Sequence, residues 1–171
     1  RVVPLWMRLY LKCTDSMRNK RFTLLKEQLV KKSVLKYLDK FGFGDSKKRI
    51  TDLREKGVDI KIKHRSCGWY FLVECKGDPQ KSVKSPNGWR SSVTNSALGQ
   101  IISRMHTDRK SSYGGYNFGV AFPYSFRDKV LKKIPYYVCN RLRLSIFIVN
   151  HKGEGEKYDY RKLKVIQKKY A

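Results

Sequence analysis

Acidic residues are scarce. Fourteen Asp and Glu stand against 39 Lys and Arg, which gives a formal net charge of +25 and an isoelectric point near 10.1. That imbalance excludes the Glu-rich ion-pair surface expected of a thermophilic or high-salt protein. Long apolar runs are also missing. The longest, LSIFIV at 144–149, is far too short to span a bilayer. Cysteine is sparse, with Cys13, Cys67, Cys75 and Cys139 the only four, and no two form a CxxC pair. A zinc ribbon is thereby excluded, and a reducing, cytoplasmic compartment is expected. The first residues carry no secretory pattern. The chain begins at Arg1 rather than Met, the start expected of a processed, trimmed or partial chain. There is no internal repeat and no low-complexity segment.

What is present is enough for one ordinary domain, taken as residues 1–171 with its core at about 21–150. Hydrophobic residues make up 40% and aromatics 13%, too many for a disordered chain. A basic N-terminal segment, with a short strand near LWMRLYL, precedes FTLLKEQLVKKSVLKYLDKF, whose apolar residues recur at helical spacing until Gly42 and Gly44. In RITDLREKGVDIKIK, Val58, Ile60 and Ile62 alternate with Asp59, Lys61 and Lys63, the pattern of a half-buried strand. HRSCG reads as a turn and WYFLVECK as the partner strand of a hairpin. Residues 77–91, with two Pro and two Gly, read as a loop. SSVTNSALGQIISRMH then reads as a helix, YNFGVAF as a strand, SFRDKVLKKI as a short helix and LRLSIFIVN as a strand buried on both faces. The tail from Lys152 is polar and basic. The order α-β-β-α-β-α-β predicts a mixed α/β sheet flanked by helices.

The charge points to a polyanionic partner, nucleic acid first, and no basic amphipathic end segment suggests a membrane surface. Within that frame one stretch carries chemistry: WYFLVECKGD, residues 69–78. On a strand alternate side chains share a face, so Glu74 and Lys76 point the same way. Closure of the hairpin through HRSCG sets Asp59 beside them. Glu and Lys two residues apart also occur as plain surface ion pairs. The apolar strand before them, the Asp at hairpin distance and the basic chain favour more. Converging carboxylates repel unless a cation separates them, and a hard divalent ion with oxygen ligands, Mg²⁺ or Mn²⁺, is the natural guest. Lys76 would then steady a water or the charge growing on a phosphoryl group. The three histidines, His64, His106 and His151, show no ligand spacing and read as structural.

GVD at 57–59 followed by VECKGD at 73–78 resembles the D-(x)n-ExK core of the PD-(D/E)xK, or restriction-endonuclease-like, nuclease superfamily. The resemblance covers roughly residues 21–150 as pattern and element order, with Val58 where the family's usual proline stands. It implies a restriction-endonuclease-like core and metal-dependent hydrolysis of DNA, with Asp59, Glu74 and Lys76 catalytic. A catalytically inactive or structural nucleic-acid-binding module of the same fold is the alternative. Gln100 resembles the glutamine that several branches carry on the helix after ExK, and Glu27 resembles the acidic outer metal ligand some branches place on the first helix. The Cys75 backbone carbonyl, between the two site side chains, would be a further ligand. Lys81, Lys84, Trp89, Arg90 and Arg104 would track the nucleic acid. A homodimer would let two sites cut both strands of a duplex.

Overall fold

The structure is a computed structural model that describes residues 24–44, 58–80, 82–105 and 115–169. The strand expected near LWMRLYL, Lys81 and His106 lie outside them. In chain order the elements are α1 (Glu27–Lys40), β1 (Ile60–Lys63), β2 (Tyr70–Cys75), α2 (Pro86–Ile102), β3 (Tyr116–Pro123), a 3-10 turn (Tyr124–Phe126), α3 (Arg127–Lys133), α4 (Tyr136–Arg141), β4 (Leu144–Val149), β5 (Gly155–Tyr158) and α5 (Tyr160–Lys168).

The five strands form one mixed sheet in the order β1-β2-β3-β4-β5. β2, β3 and β4 run parallel, while β1 and β5 pair antiparallel at the two edges. The sheet is covered on both faces. On one side Val30, Val34, Leu35 and Leu38 of α1 pack on Ile60, Phe71, Val73, Cys75 and Phe147. On the other, Ala97 and Ile101 of α2, Phe126, Val130 and Leu131 around α3, and Leu163 of α5 pack on Leu72, Val120, Phe122, Ile146 and Ile148. β4 is buried along its whole length, as its unbroken apolar run predicts for a strand covered on both faces. The Gly119 site on β3 admits no larger residue without rearrangement. A Cβ there would stand 2.9 Å from the Phe147 ring and 3.2 Å from Phe71 and Val73.

The expected order α-β-β-α-β-α-β is found through β4, with one extra short helix, α4, before it. Two boundaries differ. The segment read as loop to residue 91 enters α2 at Pro86, because proline's fixed φ suits a first helical turn that has no intrahelical use for its missing N–H. The tail read only as polar and basic folds into β5 and α5. Asp159 caps α5, its carboxylate accepting from the N–H groups of Arg161 and Lys162, both at 3.0 Å. Gln167 fastens the helix, donating from Nε2 to the carbonyls of Leu131 and Ile134 at 2.7 and 2.8 Å.

Candidate active site

The hairpin closes as its sequence predicts. Ile60 stands opposite Val73 and Lys63 opposite Tyr70. One step further along this register sets Asp59 opposite Glu74. The next step would set Val58 opposite Cys75, yet the Cys75 N–H donates to Asp59 Oδ2 at 2.7 Å instead. A carboxylate thus replaces a backbone carbonyl just ahead of the first residue of β1. The N–H and C=O of one strand residue lie on the same edge, so the Cys75 carbonyl is directed to this side as well. On the opposite edge Lys76 N–H donates to the Ala121 carbonyl at 2.9 Å, which keeps the ExK segment in the sheet.

Glu74 and Lys76 meet directly, Lys76 Nζ donating to Glu74 Oε1 at 2.6 Å. The pair is largely screened from water, with side-chain exposures of 18% for Lys76 and 9% for Glu74. Burial raises the Glu74 carboxyl above the ordinary glutamate range. The hydrogen bond from Lys76 opposes that shift, and the charges of Asp59 and Glu27 reinforce it.

Glu27 is the first residue of α1, and the structure brings it into this group. Its carboxyl is also raised, by desolvation first and the Asp59 charge second, against the opposing pull of Lys76 and Lys31. Asp78 sets its place. Asp78 N–H donates to the Leu25 carbonyl and Leu25 N–H donates back to Asp78 Oδ2, both at 2.8 Å. The Ser125 hydroxyl donates to the other carboxylate oxygen. The chain entering α1 is thereby clamped to the end of β2. Gly77 allows the close approach, for a Cβ at that position would stand 2.7 Å from the Glu27 nitrogen.

Among the described residues, no three His, Cys, Asp or Glu side chains are gathered into a group ready to hold a metal ion. Asp59, Glu74 and Glu27 offer hard carboxylate oxygens, and the charge of Asp59 raises the carboxyls of both glutamates, which is the repulsion a divalent cation relieves.

The other residues named from the sequence divide. Arg90 lies near the start of α2 and lines a cavity with Asp78, so it belongs to this end of the sheet. Lys84 is exposed just ahead of α2. Trp89 is not a free stacking platform: it faces inward from α2, its ring 6.1 Å from Phe126 in a T-shaped contact, as part of the core. Gln100 and Arg104 are exposed at the far end of α2. The helix joins parallel neighbours β2 and β3, so it must run back against them. Ten residues from Arg90 to Gln100 carry the chain about 15 Å away at about 1.5 Å per residue. Neither is brought to the carboxylates. His64 is structural as read: its Nδ1 accepts from the N–H groups of Ser66 and Cys67 at 3.2 and 3.3 Å and shapes the hairpin turn. Sequence reasoning missed the Asp78 clamp, which gave no signal because its partners lie 53 and 47 residues away.

No protein-family profile, no curated protein and no solved structure matches the chain. Among the described residues no helix is long and apolar enough to cross a membrane.

Proposed function

We propose that this protein is a metal-dependent endonuclease that hydrolyses DNA phosphodiester bonds, a divergent PD-(D/E)xK nuclease built on Asp59, Glu74 and Lys76. The observation that carries the reading is the Asp59 carboxylate, held by the Cys75 N–H at the mouth of the hairpin beside the Glu74–Lys76 pair. The +25 net charge supplies the attraction for the phosphate backbone.

Asp59, Glu74 and the Cys75 carbonyl would hold Mg²⁺ or Mn²⁺, with Glu27 in an outer position, and the ion would supply Lewis acidity and a water of lowered pKa. The chain's own residues do the rest. Asp59 is oriented by its backbone hydrogen bond. Lys76 holds a positive charge where negative charge grows on the phosphoryl oxygens as water attacks phosphorus and the bond to the leaving oxygen breaks. Glu74 keeps that ammonium in place.

The test is incubation with supercoiled plasmid, linear duplex, branched DNA and RNA, each with Mg²⁺, Mn²⁺ or EDTA. The reading expects metal-dependent cleavage of at least one DNA substrate and none in EDTA. A second reading, a catalytically inactive nucleic-acid-binding module of the same fold, is favoured by the direct Lys76–Glu74 pairing and the absence of a gathered three-carboxylate group among the described residues. It expects binding without cleavage in every arm.

A further inference from the structure

Beside the carboxylates lies a cavity of about 350 Å³, bounded by Leu24, Asp78, Arg90, Tyr124, Asp128 and His151 among others. Its wall residue Asp78 is two positions after Lys76, at most ~7 Å along an extended chain, so the cavity adjoins the proposed catalytic end of β2. The volume falls at the low end of ligand sites, about 300–1,000 Å³. It suits one ring-bearing group and not a base pair.

The charges in the wall are unevenly matched. Asp78 is satisfied by the Leu25 N–H and the Ser125 hydroxyl, and Asp128 is paired with Arg127. Arg90 has no carboxylate partner among the described residues. Its Nη1 makes one long contact to Asn87 Oδ1 at 3.2 Å, and its Nε is buried with no partner. The Phe126 ring, 5.8 Å from the guanidinium carbon, holds the group in place. A half-buried guanidinium whose Nε is shut from water without an acceptor is left with donors that an anion can complete. At the rim Tyr124 is half exposed, and the Arg127 guanidinium lies 5.9 Å from its ring centre. An exposed aromatic ring backed by a cation is a stacking surface for a nucleobase.

We infer that this cavity receives one unstacked nucleotide of the substrate strand, its phosphate on Arg90 and its base against Tyr124 and Leu24. The inference rests on the nucleic-acid reading above and narrows it. A strand must yield a nucleotide from its stack to fill the pocket, so the protein favours single-stranded, mismatched or branched DNA over a fully paired duplex. Extrusion costs least where pairing is already lost.

The test measures binding by fluorescence anisotropy in EDTA, which separates it from cleavage. Three labelled DNAs of one sequence are used: single strand, duplex with a single mismatch and fully paired duplex. The expected result is about tenfold tighter binding of the first two than of the third, the size of a single base–aromatic stack. Tyr124→Ala should abolish the preference and Tyr124→Phe should keep it. The residue is at the surface, so neither change threatens the fold. Arg90→Ala should weaken binding to all three DNAs, with a shallower salt dependence, and Arg90→Lys should recover part of the loss. Competition by a free nucleoside monophosphate at millimolar concentration would support the pocket. Equal affinities for the three DNAs, or a preference that survives Tyr124→Ala, would overturn the inference. Failure of cleavage with the preference intact would count against the nuclease reading alone, and Asp59-dependent cleavage without the preference would count against the pocket alone.

Discussion

Asp59 accepts the Cys75 amide hydrogen at 2.7 Å, in the place where the β1–β2 ladder would otherwise continue through Val58. One hydrogen bond therefore both ends a strand pair and fixes a carboxylate beside Glu74. Its charge raises the pKa of Glu27 and Glu74 alike. Asp59→Asn keeps an acceptor for the Cys75 N–H but removes the charge. It should cost less than about 1.5 kcal/mol of stability, the worth of one hydrogen bond. NMR titration should show both glutamate pKa values falling, and Mn²⁺ should no longer raise the melting temperature.

Glu27 gives the stability of the metal-free protein a pH dependence. Its folded-state pKa is raised, so its contribution favours folding below the ordinary glutamate value and is lost as pH rises through the folded value. Glu27→Gln removes that loss. Relative to wild type, the variant should gain melting temperature at about pH 7 compared with about pH 3, well below the ordinary glutamate value, where both side chains are mostly uncharged. Thermal melts at the two pH values in EDTA check this. An unchanged difference would mean that Glu27 is not coupled to the site.

Lys76 separates chemistry from ion binding. Its ammonium lowers the Glu74 pKa, so Lys76→Met should raise that pKa further. Cleavage should fall by about 10²–10³, the usual loss for one preorganised group at a developing charge. The increase in melting temperature with Mn²⁺ should persist, because an ammonium is not a ligand. Cleavage at the wild-type rate would remove Lys76 from the mechanism.

Gly77 and Gly99 make a matched pair of tests. A Cβ at Gly77 would collide with the backbone of Glu27 at 2.7 Å, whereas at Gly99 nothing lies within 4 Å. Gly77→Ala should destabilise by about 1–3 kcal/mol and displace the segment that carries Glu27. Gly99→Ala, on an exposed helical position, should stabilise by about 0.5–1 kcal/mol. Denaturant melts read both.

The parts of this site that follow from short-range rules were legible in the sequence. Alternation put Glu74 and Lys76 on one face, and counting across HRSCG put Asp59 opposite them, which the register of Ile60 with Val73 bears out. What failed needed the third dimension. Reading 77–91 as a loop cannot place Trp89 on a helix that turns it inward against Phe126, and indole suits a core as well as a surface. Nor can helical spacing alone say that Gln100 and Arg104 end up far from Arg90, which follows only once β2 and β3 are known to be parallel neighbours. The Asp78 clamp joins residues 47 and 53 positions apart. The fold of the tail was overlooked although Asp159 marks a helix start, because β5 and α5 are short and rich in charge.

The central claim is that Asp59, Glu74 and Lys76 cut phosphodiester bonds with a divalent ion. The most direct measurement is nicking of supercoiled plasmid by wild type and Asp59→Ala in parallel, each with Mn²⁺ and with EDTA, alongside DNA affinity in EDTA. The account predicts nicking by wild type with Mn²⁺ alone, none by Asp59→Ala, and DNA binding by the variant at least as tight as wild type, since a negative charge has left the phosphate-facing site. Nicking that persists in EDTA, nicking by Asp59→Ala at the wild-type rate, or no nicking by wild type with Mn²⁺ would contradict it.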